Sequence, residues 1–270
     1  MLTDYHIHVE KGPYSVQWLM EFSRQAAEVG LGDWGISEHA YRFVETRRIF
    51  WNSWVEPRQT QTMEDYFTMI LKAREQGIKV KFGIEMDYFP GKEKEIAEFI
   101  NSYPFDYVIG SVHWIDDWGI DLAEMKERWE ERRVEDIWSD YFDRVVCLAE
   151  SGLFDIAGHI DLAKIFKYIP ASEQFLKEQY HRVAGALAKG GTCIEISTAG
   201  LRKPVGEIYP HPLLLKTCFE YGVPIVISSD AHCPQDVGAD YDRAVELARK
   251  AGYSEVQVFS RRRAEPHPLG

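Results

Sequence analysis

The chain has 270 residues, 45% of them hydrophobic and 13% aromatic, and a formal net charge of −12. That content is enough for a full core and excludes a disordered chain. The acidic balance argues against a general nucleic-acid or anionic-membrane binder, but not against an anionic substrate, because bound metal ions invert the local field.

No run of about 18 apolar residues and no leader with a cleavage site is evident, so a cytoplasmic protein without a membrane span is expected. Cys147, Cys193, Cys218 and Cys233 are scattered, with no C-x-x-C pair. That spacing argues against a disulfide frame or a thiolate zinc site. The first three are expected to pack in apolar surroundings, and Cys233, beside His232, is a candidate for a place near a site.

A strand is predicted over 2–9, then a helix over 15–29 with Ser15 as N-cap and Gly30 as its stop. The next strand, 34–39, runs into an irregular stretch, 40–60, rich in aromatic and arginine residues. Tyr41, Phe43, Phe50, Trp51 and Trp54 in it form either a wall around a flat group or the packing of the loop itself. A helix at 62–76 and strand three at 79–87 follow, then a helix at 92–102 and strand four at 106–113. A Trp-bearing insert, 114–130, leads to a helix at 132–150. Strand five (154–159), helix 172–189, strand six (192–197), helix 211–221, strand seven (224–230), helix 240–250 and a closing strand (256–259) complete the series. Residues 261–270 read as a polar tail that frays. Seven strands alternating with helices imply parallel pairing with right-handed crossovers. The expected fold is one α/β domain over 1–260, a closed or nearly closed barrel.

Strand ends carry a recurring chemistry. In the first strand, alternation sets Asp4, His6 and His8 on one face, and the carboxylate is placed to orient a ring. Strand two ends in Glu38-His39, strand three in Glu85 with Asp87, strand four in His113, strand five in His159-Ile160-Asp161 and strand seven in Asp230-Ala231-His232. Parallel barrel strands deliver their C-terminal ends to one rim. Imidazoles and carboxylates gathered there without a cation would suffer desolvation and repulsion. The N and O donor set suits Zn, Mn or Fe, in two or three ions, with Glu85 the best bridging group. His181, His211 and His267 are left for surface or capping roles.

The ordered motifs Asp4-x-His6-x-His8, Glu38-His39, Glu85, His113, Gly158-His159 and Asp230-Ala231-His232 resemble the PHP (polymerase and histidinol phosphatase) superfamily over about residues 2 to 260. Ser197 to Lys203, followed by Gly206-Glu207-Ile208-Tyr209-Pro210, resembles its histidinol-phosphatase branch. The resemblance implies a distorted (β/α)7 barrel with the metal site at the C-terminal rim. It also implies a first metal on His6, His8, Glu85 and Asp230, a second on Glu85, His113 and His159, and a third on His39 and His232. Many relatives carry another histidine shortly after the H-x-H pair; here Glu10 is the candidate in its place.

The implied reaction is hydrolysis of a small phosphorylated substrate, L-histidinol phosphate, with a hydroxide bridging two ions attacking phosphorus in line. Arg202 is the first choice for the substrate phosphate, because it follows the one strand that brings no ligand, with Lys164 second and Arg42 third. His232 or Asp161 is expected to protonate the leaving oxygen, and Glu207 is a candidate to meet a substrate ammonium. Three rivals stay open: a PHP phosphoesterase for another small phosphate or nucleotide, a non-catalytic metal-bound PHP module, and an amidohydrolase. The oligomeric state is not legible.

Overall fold

The computed structural model describes residues 1–270. In chain order the elements are β1 (Thr3–Asp4), α1 (Val16–Glu28), β2 (Asp33–Ile36), α2 (Met63–Glu75), β3 (Lys81–Asp87), α3 (Glu93–Ile100) and β4 (Tyr107–Ser111). Two short strands, β5 (Trp114–Ile115) and β6 (Trp118–Gly119), precede α4 (Val134–Glu150) and β7 (Ile156–Ala157). Then come α5 (Glu173–Gly190), β8 (Cys193–Ser197), α6 (Pro212–Glu220), β9 (Ile225–Ser228), α7 (Tyr241–Ala251), β10 (Glu255–Ser260) and β11 (Arg263–Pro268).

Seven strands form one parallel sheet in the order β1-β2-β3-β4-β7-β8-β9. A single parallel bridge between Ile7 and Ala231 draws its two edges together. There His8 N–H donates to Ala231 O at 2.8 Å and Ala231 N–H to His6 O at 3.1 Å. The sheet is thus nearly closed into a barrel, and the seam lies between the His6-Ile7-His8 and Asp230-Ala231-His232 segments. Ser15, Thr62 and Ser172 cap α1, α2 and α5 through their side-chain oxygens. Gly191 ends α5 in the left-handed conformation, φ 68°, that a side chain would disfavour.

Apolar helix faces cover the outside of the sheet, with Leu19, Phe22, Tyr66, Phe142, Leu187 and Leu215 among the fully buried side chains. A second, smaller cluster of Tyr5, Tyr107, Ile109, Ile156, Cys193, Val226 and Phe259 fills the barrel at the N-terminal ends of its strands. Polar groups are left for the opposite end. On β8 the residues at period two run Cys193, Glu195, Ser197, and on β4 they run Tyr107, Ile109, Ser111: apolar below, polar above.

The terminal residues differ from expectation. They do not fray: β11 pairs antiparallel with β10 from Glu255↔Pro268 to Ser260↔Arg263. The turn is Arg261-Arg262, both at positive φ (49° and 62°), which matches a two-residue type I′ connection. Acids at the barrel's closed end stabilise it. Arg261 N–H donates to Asp106 Oδ1 at 3.2 Å, and Arg262 Nε donates to Asp155 Oδ2 at 2.8 Å. The hairpin therefore plugs the N-terminal mouth, with the Phe259 ring edge-on to Tyr5 at 5.8 Å.

Other expectations also shift. Cys147 is exposed, whereas Cys193 and Cys218 are buried as expected. In the 40–60 stretch Phe43 is fully buried, and Trp51 is 47% exposed beneath the Arg47 guanidinium, so neither lines a site. Trp54 and Phe50 pack on Trp114 at 5.5 and 4.8 Å, and Tyr41 stacks on His39 at 4.9 Å. No helix is long and apolar enough to cross a membrane.

Candidate metal centre

Strand β1 lasts only two residues, and its alternation breaks directly afterwards. Tyr5 belongs to the barrel's inner apolar cluster while its neighbour His6 faces the polar end. Asp4 consequently does not share a face with the two histidines. Its carboxylate accepts from Ser229 N–H (3.0 Å), Ser229 Oγ (2.6 Å) and Gly238 N–H (3.3 Å), pinning the loop after β9. Burial lifts this carboxyl to about 6, against the pull of those donors.

The group that orients His6 is Glu195, from the strand expected to bring no ligand. His6 Nδ1 lies 2.8 Å from Glu195 Oε1. The other carboxylate oxygen accepts from the His159 backbone N–H at 2.8 Å. His159 stands at φ 22°, an unusual position for a residue with a side chain. A charge in the middle of the apolar strand Thr192 to Ser197 was the available signal.

Glu85 is the hub. Its carboxylate lies near five imidazoles: His6 Nε2 at 3.2 Å, His8 Nε2 at 3.7 Å, His39 Nδ1 at 2.5 Å, His113 Nε2 at 3.4 Å and His159 Nε2 at 3.2 Å. Ser111 Oγ donates to it at 2.6 Å. Asp230 Oδ1 is a second hub, 3.6 Å from His6 Nε2, 3.2 Å from His8 Nε2 and 3.4 Å from His232 Nε2. Outer carboxylates hold the far nitrogens: Asp87 is 2.7 Å from His113 Nδ1, and Glu10 is 2.8 Å from His232 Nδ1. Glu10 thus bears on His232, and it also groups with His8 and Glu38. Glu38 itself accepts from Val9 N–H (2.6 Å) and Tyr14 OH (2.8 Å).

Charge is distributed unevenly. Burial opposes the Glu85 and Asp230 carboxylates, yet the surrounding rings hold both well below the usual range. Burial, with His39 and His232 alongside, drives the His8 ring down to about 3, so it is neutral, the form that ligates. His6 is held well above its ordinary value, because Glu195, Glu85 and Asp230 outweigh burial.

A cation fits this donor set. His6 Nε2, both nitrogens of His8, His39 Nδ1, His159 Nδ1 and Glu85 Oε2 are buried without a hydrogen-bond partner. Buried polar atoms in such number call for a partner. Compatible ligand atoms group as His6-His8-Glu85, Glu85-His113-His159, His8-His39-His232 and His6-His159-Asp230. The sets share His6, His8, Glu85 and His159, which suits more than one ion.

Cationic side chains stand on the neighbouring loops. Arg202 donates from Nη2 to Ser229 O at 2.6 Å, and its Nη1 is buried without a partner. Lys164 is 2% exposed; its Nζ donates to Ile208 O at 2.8 Å and lies 3.0 Å from Asp161 Oδ2. Asp161 is wholly buried and also accepts from His211 N–H at 2.7 Å, a geometry that positions Lys164 rather than one that frees a proton. Arg42 lies 3.7 Å from Glu38, and Glu207 stands 3.6 Å from Lys164. His211 caps α6, accepting from Leu213 N–H.

A model of the PHP domain matches residues 4–199. The chain belongs to the PHP family. A Deinococcus radiodurans protein named Probable histidinol-phosphatase is 32% identical over 268 residues, 98% of this chain and 99% of that one. The histidinol-phosphatase of Lactococcus lactis is 27% identical over 268 residues, 95% of this PHP chain and 94% of that one. A crystal structure of the Lactococcus lactis histidinol phosphate phosphatase, complexed with zinc, L-histidinol and phosphate, superposes with a TM-score of 0.81 at 23% identity, covering 98% of each chain. That likeness supports the nearly closed seven-stranded PHP barrel.

Proposed function

We propose that this PHP protein is a metal-dependent phosphomonoesterase that hydrolyses L-histidinol phosphate to L-histidinol and phosphate. The observation that carries the reading is Glu85 ringed by five imidazoles at the barrel mouth, next to the loops that bear Arg202 and Lys164. The names of the relatives, matched over nearly the full chain, supply the substrate.

His6, His8, Glu85 and Asp230 would hold one ion, Glu85, His113 and His159 a second, and His39 with His232 a third, as zinc, manganese or iron. Such ions supply an activated water and neutralise charge on the phosphoryl group. The chain supplies positioning and fixed charge. Glu195, Asp87 and Glu10 lock three rings by their far nitrogens. Arg202 offers its unpartnered Nη1 to a phosphate oxygen, and Lys164 adds a second fixed cation. Glu10 turns His232 Nε2 inward, where it can give a proton to the leaving oxygen in any state in which it does not ligate. All four cysteines are unpaired, which fits a reducing compartment, and we place the enzyme in the cytoplasm.

The test is release of inorganic phosphate from a panel that includes L-histidinol phosphate, a nucleotide and an amide substrate. The chelated protein is assayed with and without added Mn or Zn. Metal-dependent release with L-histidinol phosphate preferred is the expected result. Failure to release phosphate from it after re-supply of each metal overturns the reading, and turnover of the amide alone would favour an amidohydrolase.

A further inference from the structure

Three of the candidate ligand rings are gripped from behind by a carboxylate: His6 by Glu195, His113 by Asp87 and His232 by Glu10. His159 is not. Its Nε2 stands 3.2 Å from Glu85, while its Nδ1 is buried without a hydrogen-bond partner. The aim of this ring therefore depends on its backbone, and that backbone is strained. His159 is at φ 22°, a sparsely populated conformation that persists only where the surroundings fix it.

Two side chains fix it, one at each end of the residue. Glu195, on β8, accepts the His159 N–H at 2.8 Å. Tyr141, on α4, takes the other end. Its hydroxyl donates to His159 O at 3.3 Å and accepts from Leu162 N–H at 3.1 Å. Leu162 N–H also reaches His159 O at 2.8 Å, so the hydroxyl closes a three-way link across the turn that leaves β7.

The link is built on a rigid stem. Tyr141 is fully buried and its ring packs on Phe142 at 5.6 Å, so α4 presents the hydroxyl from a fixed place. His159 is buried as well, and bulk water cannot stand in for the hydroxyl. The same turn leads into Leu162–Lys164, where Lys164 meets Asp161 at 3.0 Å.

We propose that the Tyr141 hydroxyl is a positioning group for the metal centre: it holds the His159 backbone so that the ring faces Glu85, and thereby sets how tightly the ion on Glu85, His113 and His159 is held. The inference rests on the metal-dependent reading and not on the identity of the substrate. Without the hydroxyl the turn relaxes toward a commoner conformation, and a ring ungripped at Nδ1 follows it. Loss of one buried hydrogen-bonded link of this kind corresponds to about 10-fold in affinity.

The test is Tyr141→Phe, which keeps the ring and removes one oxygen. Beside it stands Val145→Ala, which loosens the buried face of the same helix one turn further on and leaves the hydroxyl in place. Metal content is read by elemental analysis after dialysis against a graded chelator series, with Tm taken on chelated and loaded protein. Tyr141→Phe is expected to give up one ion per chain at about 10-fold lower chelator strength and to keep the others as wild type does. Val145→Ala is expected to lower Tm and to hold metal like wild type. Retention within about twofold of wild type in Tyr141→Phe overturns the proposal. Equal metal loss in both variants also overturns it, since loosened packing would then be the cause. Wild type that holds metal but leaves L-histidinol phosphate intact removes the substrate assignment alone, and retention still decides Tyr141. Wild type that retains no ion overturns both.

Discussion

Glu195 and His6 meet at 2.8 Å with neither side chain exposed, and the same carboxylate reaches the His159 backbone N–H. One acid on β8 thus couples a ring on one side of the barrel to a chain segment on the other. With Nδ1 turned to Glu195, Nε2 faces Glu85 and Asp230, and an ion bound there would take the place of an Nε2 proton.

Glu195→Gln removes the charge while keeping the shape. One amide oxygen cannot serve both donors as the carboxylate does, and the NH2 group meets a donor that needs an acceptor. Loss of such an outer partner weakens metal affinity by about 10- to 100-fold. Elemental analysis after dialysis against a graded chelator series is expected to show metal lost at lower chelator strength than in wild type. Retention equal to wild type would remove Glu195 from the metal-holding role.

The centre also bears on stability. Bringing the Glu85 and Asp230 carboxylates together with six rings in a buried space is favourable only when the charges are matched. A bound ion adds about 4 kcal/mol at a thousandfold excess over its dissociation constant. Chelation is therefore expected to lower Tm by about 10 °C in a domain of this size, with recovery on adding Zn or Mn. An unchanged Tm after verified metal removal would show that the rings are satisfied without a cation.

The proposed phosphate-binding role of Arg202 can be separated from its structural one. Its Nη2 holds the carbonyl of Ser229, on the loop that carries Asp230 and His232, and its Nη1 is free for phosphate. Arg202→Ala is expected to lower kcat/KM by about 100- to 1,000-fold, as for loss of a donor to developing charge. Arg202→Lys keeps the charge but loses the fork, and should recover only part of the loss. Phosphatase kinetics unchanged in Arg202→Ala would refute the role.

Much of this centre is legible along the chain, because each candidate ligand sits where a strand pattern gives way to a loop, and parallel strands bring those places together. His6, His39, Glu85, His113, His159 and Asp230 all meet on that account. What escapes is geometry that breaks a period. Tyr5 and His6 face the barrel in succession, so Asp4 is displaced to Ser229 and Gly238, where simple alternation sets it beside the histidines. Glu195 hides inside an apolar run, and only the barrel's closure shows that its face is the inner one. Arg261-Arg262 lacks the Gly or Asn that marks a tight hairpin turn, and its partners Asp106 and Asp155 lie more than a hundred residues away in sequence.

That hairpin gives a prediction with a pH signature. Asp155 titrates above its ordinary 3.8, because burial outweighs the help of Arg262 and the Val108 N–H. A carboxyl raised in the folded state favours folding when protonated. Its contribution is complete below 3.8 and is lost as the pH rises through the folded value. Arg262, at 2.8 Å from Asp155 Oδ2, limits that loss. Arg262→Ala removes the limit and also the hydrogen bond to Leu153 O. The pair is only partly buried, so the expected destabilisation at pH 7.5 is about 1–3 kcal/mol, below that for breaking a fully buried pair. Below pH 3.8 protonation of Asp155 is favoured with or without Arg262, and the gap between variant and wild type should narrow. Denaturant midpoints at the two pH values check this. A gap that does not depend on pH would mean that Arg262 acts through the turn and the Leu153 carbonyl alone, with no contribution from Asp155.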